Sequence, residues 1–251
     1  MELIEFEQVS KAYNGKVILK SFSLRIAKGE RLVILGPSGC GKTTVLRLLA
    51  GFIQPDGGRI LIDEALVAAD GRNLKEPEER NLGMVFQNLA LWPHLTVKGN
   101  LEFGLKAKGI LKSERERRIA ETLQLVRMTA STNAHVAELS GGEQQRIALA
   151  RALVLYPGIL LMDEPLSSLD FELNRQLRNE VLRLHGQFGF TLVYVTHNIE
   201  EAFDLATRIV VMKRGKIDQV GTPEEIGEHF GRRLPKSELL QEDEDGGKRH
   251  E

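Results

Sequence analysis

The sequence predicts an α/β fold with a mostly parallel sheet, preceded by an antiparallel β subdomain and interrupted by a helical subdomain. Three observations carry this. Continuous apolar runs recur between helical patterns, at residues 31–35, 82–86, 159–162, 191–195 and 208–212, and such runs suit strands covered on both faces. Residues 2–9 and 21–26 instead alternate apolar and polar side chains, as antiparallel strands with one wet face do. From about residue 88 to residue 156 no good strand candidate occurs.

The elements follow in order. The antiparallel character of the first thirty residues continues through the turn Asp56-Gly57-Gly58 into residues 59–62. Within the helical zone, Ser113 and Glu116 have capping-box spacing, and Ile119, Leu123 and Val126 follow at helical intervals, which predicts a helix starting at that serine. The predicted organisation is one ordered unit over 1–235, with its helical subdomain at about 88–156. The apolar-poor stretch at 236–251 is expected to be a disordered, solvated tail.

Bulk properties exclude several classes. The chain has 251 residues, 42% hydrophobic and 27% charged, with a net charge of −1, as in an ordinary soluble globular protein. That charge speaks against nucleic-acid binding by bulk positive potential. A single cysteine allows no intrachain disulfide and suggests a reducing compartment. The N-terminus lacks the basic start and apolar core of a signal peptide. No run approaches the length of about 18 apolar residues that crosses a bilayer. The expected location is cytoplasmic.

The chemistry starts at Gly36-Pro37-Ser38-Gly39-Cys40-Gly41-Lys42-Thr43-Thr44, which fits G-x-x-x-x-G-K-[ST] between an apolar run and a helical pattern. A loop of this kind turns backbone N–H groups inward, and the helix that follows adds its positive end, so the pocket suits di- and triphosphates. Lys42 is placed to reach the β- and γ-phosphates and Thr43 to ligate Mg²⁺. The plainer reading, a strand–helix turn that binds nothing, does not explain the lysine and threonine together.

Residues 159–162 run into Asp163-Glu164-Pro165. Adjacent acids at a strand end repel unless a cation offsets them. Beside a phosphate loop, Asp163 suits the Mg²⁺ shell, and Glu164 suits orienting or deprotonating water. Helix capping is the alternative role for the pair. Ser140-Gly141-Gly142-Glu143 also has capping-box spacing. Yet two glycines in a first turn weaken a helix by about 1 kcal/mol each, and they leave backbone N–H groups open to a phosphate.

Together these motifs resemble the ATP-binding subunits of ABC transporters, over about residues 3–222. Residues 139–146 are similar to that family's signature. The family order also runs through Tyr13, the phosphate loop, Gln87, Asp163-Glu164, Ser167-Ser168-Leu169-Asp170 and His197. The resemblance implies a P-loop NTPase core that hydrolyses ATP with Mg²⁺. It implies that Tyr13 stacks on adenine, that Gln87 touches the Mg²⁺ and water site, that His197 holds the γ-phosphate and that Asp170 faces a second subunit. His94, His135, His185, His229 and His250 match no motif. Glu143, Ser168 and Asn198 stand where many members have Gln, Ala and Asp, and none of these changes removes a proposed contact.

The resemblance further implies a dimer of this chain with itself or a homologous ATPase subunit. Each ATP is then enclosed between the phosphate loop of one copy and Ser140, Gly141, Gly142 and Glu143 of the other. Implied partners are integral membrane permease subunits, which would hold the chain at the inner face of the membrane, and a separate substrate-binding protein. Residues 85–97 look like those of importers for inorganic anions, iron, polyamines or sugars. Within them Trp92 is either a contact for a permease helix or a packing residue. Many members add a C-terminal β-domain, for which a chain of this length is expected to lack room. The alternative is a soluble ABC-type ATPase of DNA repair, chromosome structure or translation. No heptad run, metal-ligand cluster or basic stripe in the sequence supports it.

Overall fold

The computed structural model describes residues 1–167 and 169–229. The expectations for Ser168, His250 and the tail at 236–251, and any for the His229 side chain, lie outside the described residues.

Two sheets organise the chain. The first is antiparallel, with the order β2-β1-β4-β5-β6, built from β1 (Glu2–Tyr13), β2 (Lys16–Ala27), β4 (Gly57–Ile62), β5 (Ala65–Ala69) and β6 (Arg72–Asn73). Its alternation is physical. Ile4, Phe6 and Val9 are buried, while Glu5 and Glu7 pair with Arg25 and Arg59 on the wet face.

The second sheet has the order β11-β10-β3-β9-β8-β7, from β3 (Arg31–Leu35), β7 (Leu82–Val85), β8 (Ile159–Asp163), β9 (Thr191–Thr196), β10 (Arg208–Lys213) and β11 (Lys216–Gly221). All its pairings are parallel except β10 with β11. Consecutive residues of its central strands feed two different cores. Val33, Leu160, Leu192 and Tyr194 enter one, with the helices of the outer face. Leu32, Ile34, Leu161, Val193 and Val195 enter the other, with α1 (Lys42–Ala50) and the antiparallel sheet. Burial on both faces explains why these strands read as unbroken apolar runs.

Among the described residues no strand lies between β7 and β8. That stretch holds α2 (Val97–Ala107), α3 (Lys112–Leu125) and α4 (Gly141–Leu153), with one isolated bridge between Thr96 and His135. Then come α5 (Phe171–Phe188), α6 (Ile199–Leu205) and α7 (Pro223–His229).

The capping box expected at Ser113 and Glu116 does not form. α3 starts earlier, with Leu111 as its N-cap and no side-chain cap. Glu114 in its first turn is taken by Arg117 and Arg118, each at 2.7 Å, and these ion pairs support the turn in place of a cap. The short strands β5, β6 and β11 were not expected. β5 is rich in alanine, β6 has two residues, and β11 is an edge strand of Lys, Asp and Gln. None carries a strong strand signal.

Candidate active site

The site lies where β3, β8 and β9 end on one side of the sheet, the edge at which open α/β sheets take ligands. β3 leads into the loop Gly36–Gly41, and the loop leads into α1. Gly39 and Gly41 hold φ of 77° and 111°, which side chains with a Cβ rarely adopt. Gly36 is required for another reason: a Cβ there would stand 2.4 Å from the Met212 carbonyl of β10. α1 has no side-chain cap and no acid in its first turn, so the positive helix end is unopposed.

Lys42 is 4% exposed. Its Nζ donates to the carbonyls of Gly36 at 2.8 Å and Pro37 at 3.1 Å and lies 3.4 Å from Oε1 of Glu164. The Thr43 hydroxyl donates to Oδ1 of Asp163 at 2.8 Å. Adjacent residues point apart, and the two acids divide accordingly: Asp163 turns to Thr43, Glu164 to Lys42 and His197. His197 Nδ1 is 2.9 Å from Oε2 of Glu164. Glu164 holds φ of 43°, a strained conformation for a non-glycine and a common mark of functional sites.

Lys42, Thr43 and Glu164 line one open cleft of about 330 Å³, with Tyr13, Gln87 and Thr44 also on its walls; Asp163 and His197 join it through their contacts to Thr43 and Glu164. Tyr13 is 40% exposed, with the Lys11 ammonium over its ring at 5.7 Å. Burial pushes the Asp163 carboxyl above its ordinary value; the bond from Thr43 and the nearby Arg47 and Lys42 cations work against that, while Glu164 adds to it.

Some expected residues stand apart. Ser140, Gly141, Gly142 and Glu143 do not line the cleft. They form the start of α4, where Ser140 and Glu143 make the expected capping box and Oγ of Ser140 donates to Oε2 of Glu143 at 2.6 Å. Asp170 caps α5, accepting from the Leu173 N–H at 3.0 Å. The Cys40 thiol is turned away from solvent. The side chain is 4% exposed and packs in the core beneath the loop, and burial raises its pKa. Trp92 packs on Phe103 with the Arg151 guanidinium over its ring.

Sequence reasoning missed two buried polar centres. Arg80, 2% exposed, donates to the carbonyls of Leu48 and Leu49, each at 2.9 Å, at the far end of α1. Glu201, also 2% exposed, accepts from Asn174, Tyr194 and Thr196. The signal for Glu201 was its spacing from the cap Asn198, which reads as an ordinary capping box.

The model of the family described as ABC transporter matches residues 19–167. The chain belongs to the ABC transporter family. Relatives of this ABC family chain include the spermidine/putrescine import ATP-binding protein PotA of Aliivibrio fischeri, 47% identical over 90% of this chain and 59% of its own length. The PotA of Bacillus cereus is 45% identical over 90% of this chain and 67% of its own. The chain thus spans about 59% to 67% of the length of these curated relatives. Among solved structures, cbiO1 of Clostridium perfringens, part of the ABC transporter complex cbiONQ, superposes with a TM-score of 0.83 at 27% identity, covering 91% of this chain and 92% of its own. A bacterial ABC transporter cassette solved as a dimer gives a TM-score of 0.78 at 33% identity, covering 88% of this chain and 99% of its own. The fold is that of an ABC ATPase cassette, and ATP binding follows from the family. Among the described residues no helix is long and apolar enough to cross a membrane.

Proposed function

We propose that this chain is the ATP-hydrolysing subunit of an ABC importer, working as a dimer with Mg²⁺ on membrane-embedded permease subunits. The observation that supports it is that Lys42, Thr43 and Glu164 line one cleft, with Asp163 bonded to Thr43 and His197 in contact with Glu164. The helices within 88–156 serve as the subdomain that carries the signature.

The donor set fits Mg²⁺. A hydroxyl, one carboxylate and the Gln87 amide are hard oxygen ligands, few in number, as this ion takes when phosphates complete its shell. Bound there, it neutralises charge on the transferring phosphate. The chain's own residues do the rest. The loop from Gly36 to Thr44 encloses the phosphates with its free backbone N–H groups, and Lys42 leaves its two loop carbonyls to pair with them. Tyr13 stacks on the base. Glu164 orients an attacking water and takes its proton, while His197 holds Glu164 and the terminal phosphate in place. Phosphoryl transfer needs mainly such positioning. Ser140, Gly141, Gly142 and Glu143, remote from this cleft, act on the nucleotide of the other copy, and Asp170 lies at the same contact. Charge repulsion after hydrolysis reopens the dimer and moves the permease.

Relatives named for spermidine and putrescine import favour small polyamines as cargo, delivered by a substrate-binding protein, with the chain peripheral on the inner membrane face. The test is Glu164→Gln. It keeps ATP affinity, lowers phosphate release by about 100-fold or more, and sediments as a dimer with Mg-ATP. A variant that stays monomeric at saturating Mg-ATP, or turns over at the parental rate, overturns the reading.

A further inference from the structure

His197 is 52% exposed at its side chain, on a turn between β9 and α6, yet the turn is tied down by a buried carboxylate. Oε2 of Glu201 accepts from the Tyr194 hydroxyl at 2.9 Å and the Thr196 hydroxyl at 2.7 Å. Oγ1 of Thr196 in turn accepts the Asn198 N–H at 2.9 Å. His197 therefore sits between Thr196, which is bonded to that acid, and Asn198, which is bonded to Thr196. Oε1 of Glu201 accepts from Nδ2 of Asn174 at 2.8 Å, and the same amide donates to the carbonyl of Leu166 at 3.1 Å. Leu166 belongs to the segment that begins at Glu164. Glu201, Tyr194, Thr196 and Asn174 are all buried, and Arg178 donates to Oδ1 of Asn174 at 2.9 Å to close the network.

We infer that Glu201 is a positioning residue for hydrolysis, setting the turn that carries His197 and the segment that carries Glu164 in one register. Neither side chain is held in that register by its neighbours in the cleft alone, since one is half-exposed and the other has a strained backbone. A buried carboxylate with three donors on it is rigid, because any rotation leaves a polar group unpaired away from water. Glu201 touches neither water nor phosphate; it acts through the Glu164–His197 contact. The inference rests on the hydrolytic reading of that contact.

The test is Glu201→Gln, in which an amide N–H₂ must face donors that are now paired with carboxylate oxygens. Phosphate release is expected to fall by about 10-fold or more, with ATP affinity changed by less than about twofold, and the imidazole ¹⁵N resonances of His197 are expected to shift. Thr196→Val, which removes the hydroxyl that joins Glu201 to the turn, moves the same signals in the same direction and guards against misfolding of the first variant. Turnover within about twofold of the parent overturns the inference. So does a lowered melting temperature with unmoved His197 resonances, because that is what a merely structural carboxylate gives. Glu164→Gln run alongside separates the two readings: if it turns over at the parental rate, the hydrolytic site itself is misread.

Discussion

Nδ1 of His197 lies 2.9 Å from Oε2 of Glu164, so the residue that follows β9 touches the residue that follows β8. These strands are neighbours in register, with Asp163 opposite Val195. The Glu164 N–H continues the ladder to the Val195 carbonyl at 2.9 Å. The pairing of β8 with β9 therefore brings the two residues side by side. His197→Ala should lower the turnover number by about 100-fold while leaving the melting temperature of the protein nearly unchanged, since the ring is half-exposed. Steady-state phosphate release beside thermal unfolding checks both halves.

Asp163 gives a pH dependence. Its carboxyl is raised above the ordinary value, first by burial and then by the Glu164 charge. A raised carboxyl favours the fold while protonated, and that contribution is lost as pH climbs through the raised value. Asp163→Asn keeps an acceptor for the Thr43 hydroxyl and removes the titration. Relative to the parent, the variant should gain thermal stability as pH rises from the ordinary carboxylate range through the raised value, without nucleotide and in chelator. A constant difference across that range would refute the assignment.

Cys40 should react slowly. Its thiol is buried beneath the loop and its pKa is raised by that burial, so little thiolate is exposed to reagent. Alkylation of the native protein should be slower than that of the denatured chain by about 100-fold or more, read by mass spectrometry. Rapid stoichiometric modification of folded protein would show the side chain turned outward.

Arg80 should matter for stability without touching nucleotide. Its guanidinium covers the last carbonyls of α1 and also reaches Val67 at 3.2 Å and Oδ1 of Asn73 at 3.0 Å. Arg80→Ala removes these buried bonds and should cost about 2–4 kcal/mol, measured by denaturant unfolding. Arg80→Lys should recover little, since one ammonium cannot reproduce the planar fork.

The central strands were legible because each is buried on both faces and so is written in continuous apolar residues. β3 was read to its ends. β7 stops at Val85 rather than at Phe86, whose ring stacks on Phe52 instead. The phosphate loop was legible because its conformation tolerates glycine at fixed places. The start of α3 was not, because Arg117 and Arg118 compete for Glu114 and the turn needs no serine cap.

By itself the sequence determined the parallel sheet, the glycine loop and the helix that follows it, and the placing of Asp163 and Glu164 at the end of a buried strand, since each depends on neighbours in the chain. Tertiary structure alone decided that His197 meets Glu164, that the Cys40 thiol faces inward, and that Glu201 and Arg80 are buried hubs. Those facts depend on which strand lies beside which and on what packs over each helix end. Local spacing holds no record of a partner that is more than thirty residues away, as His197 is from Glu164.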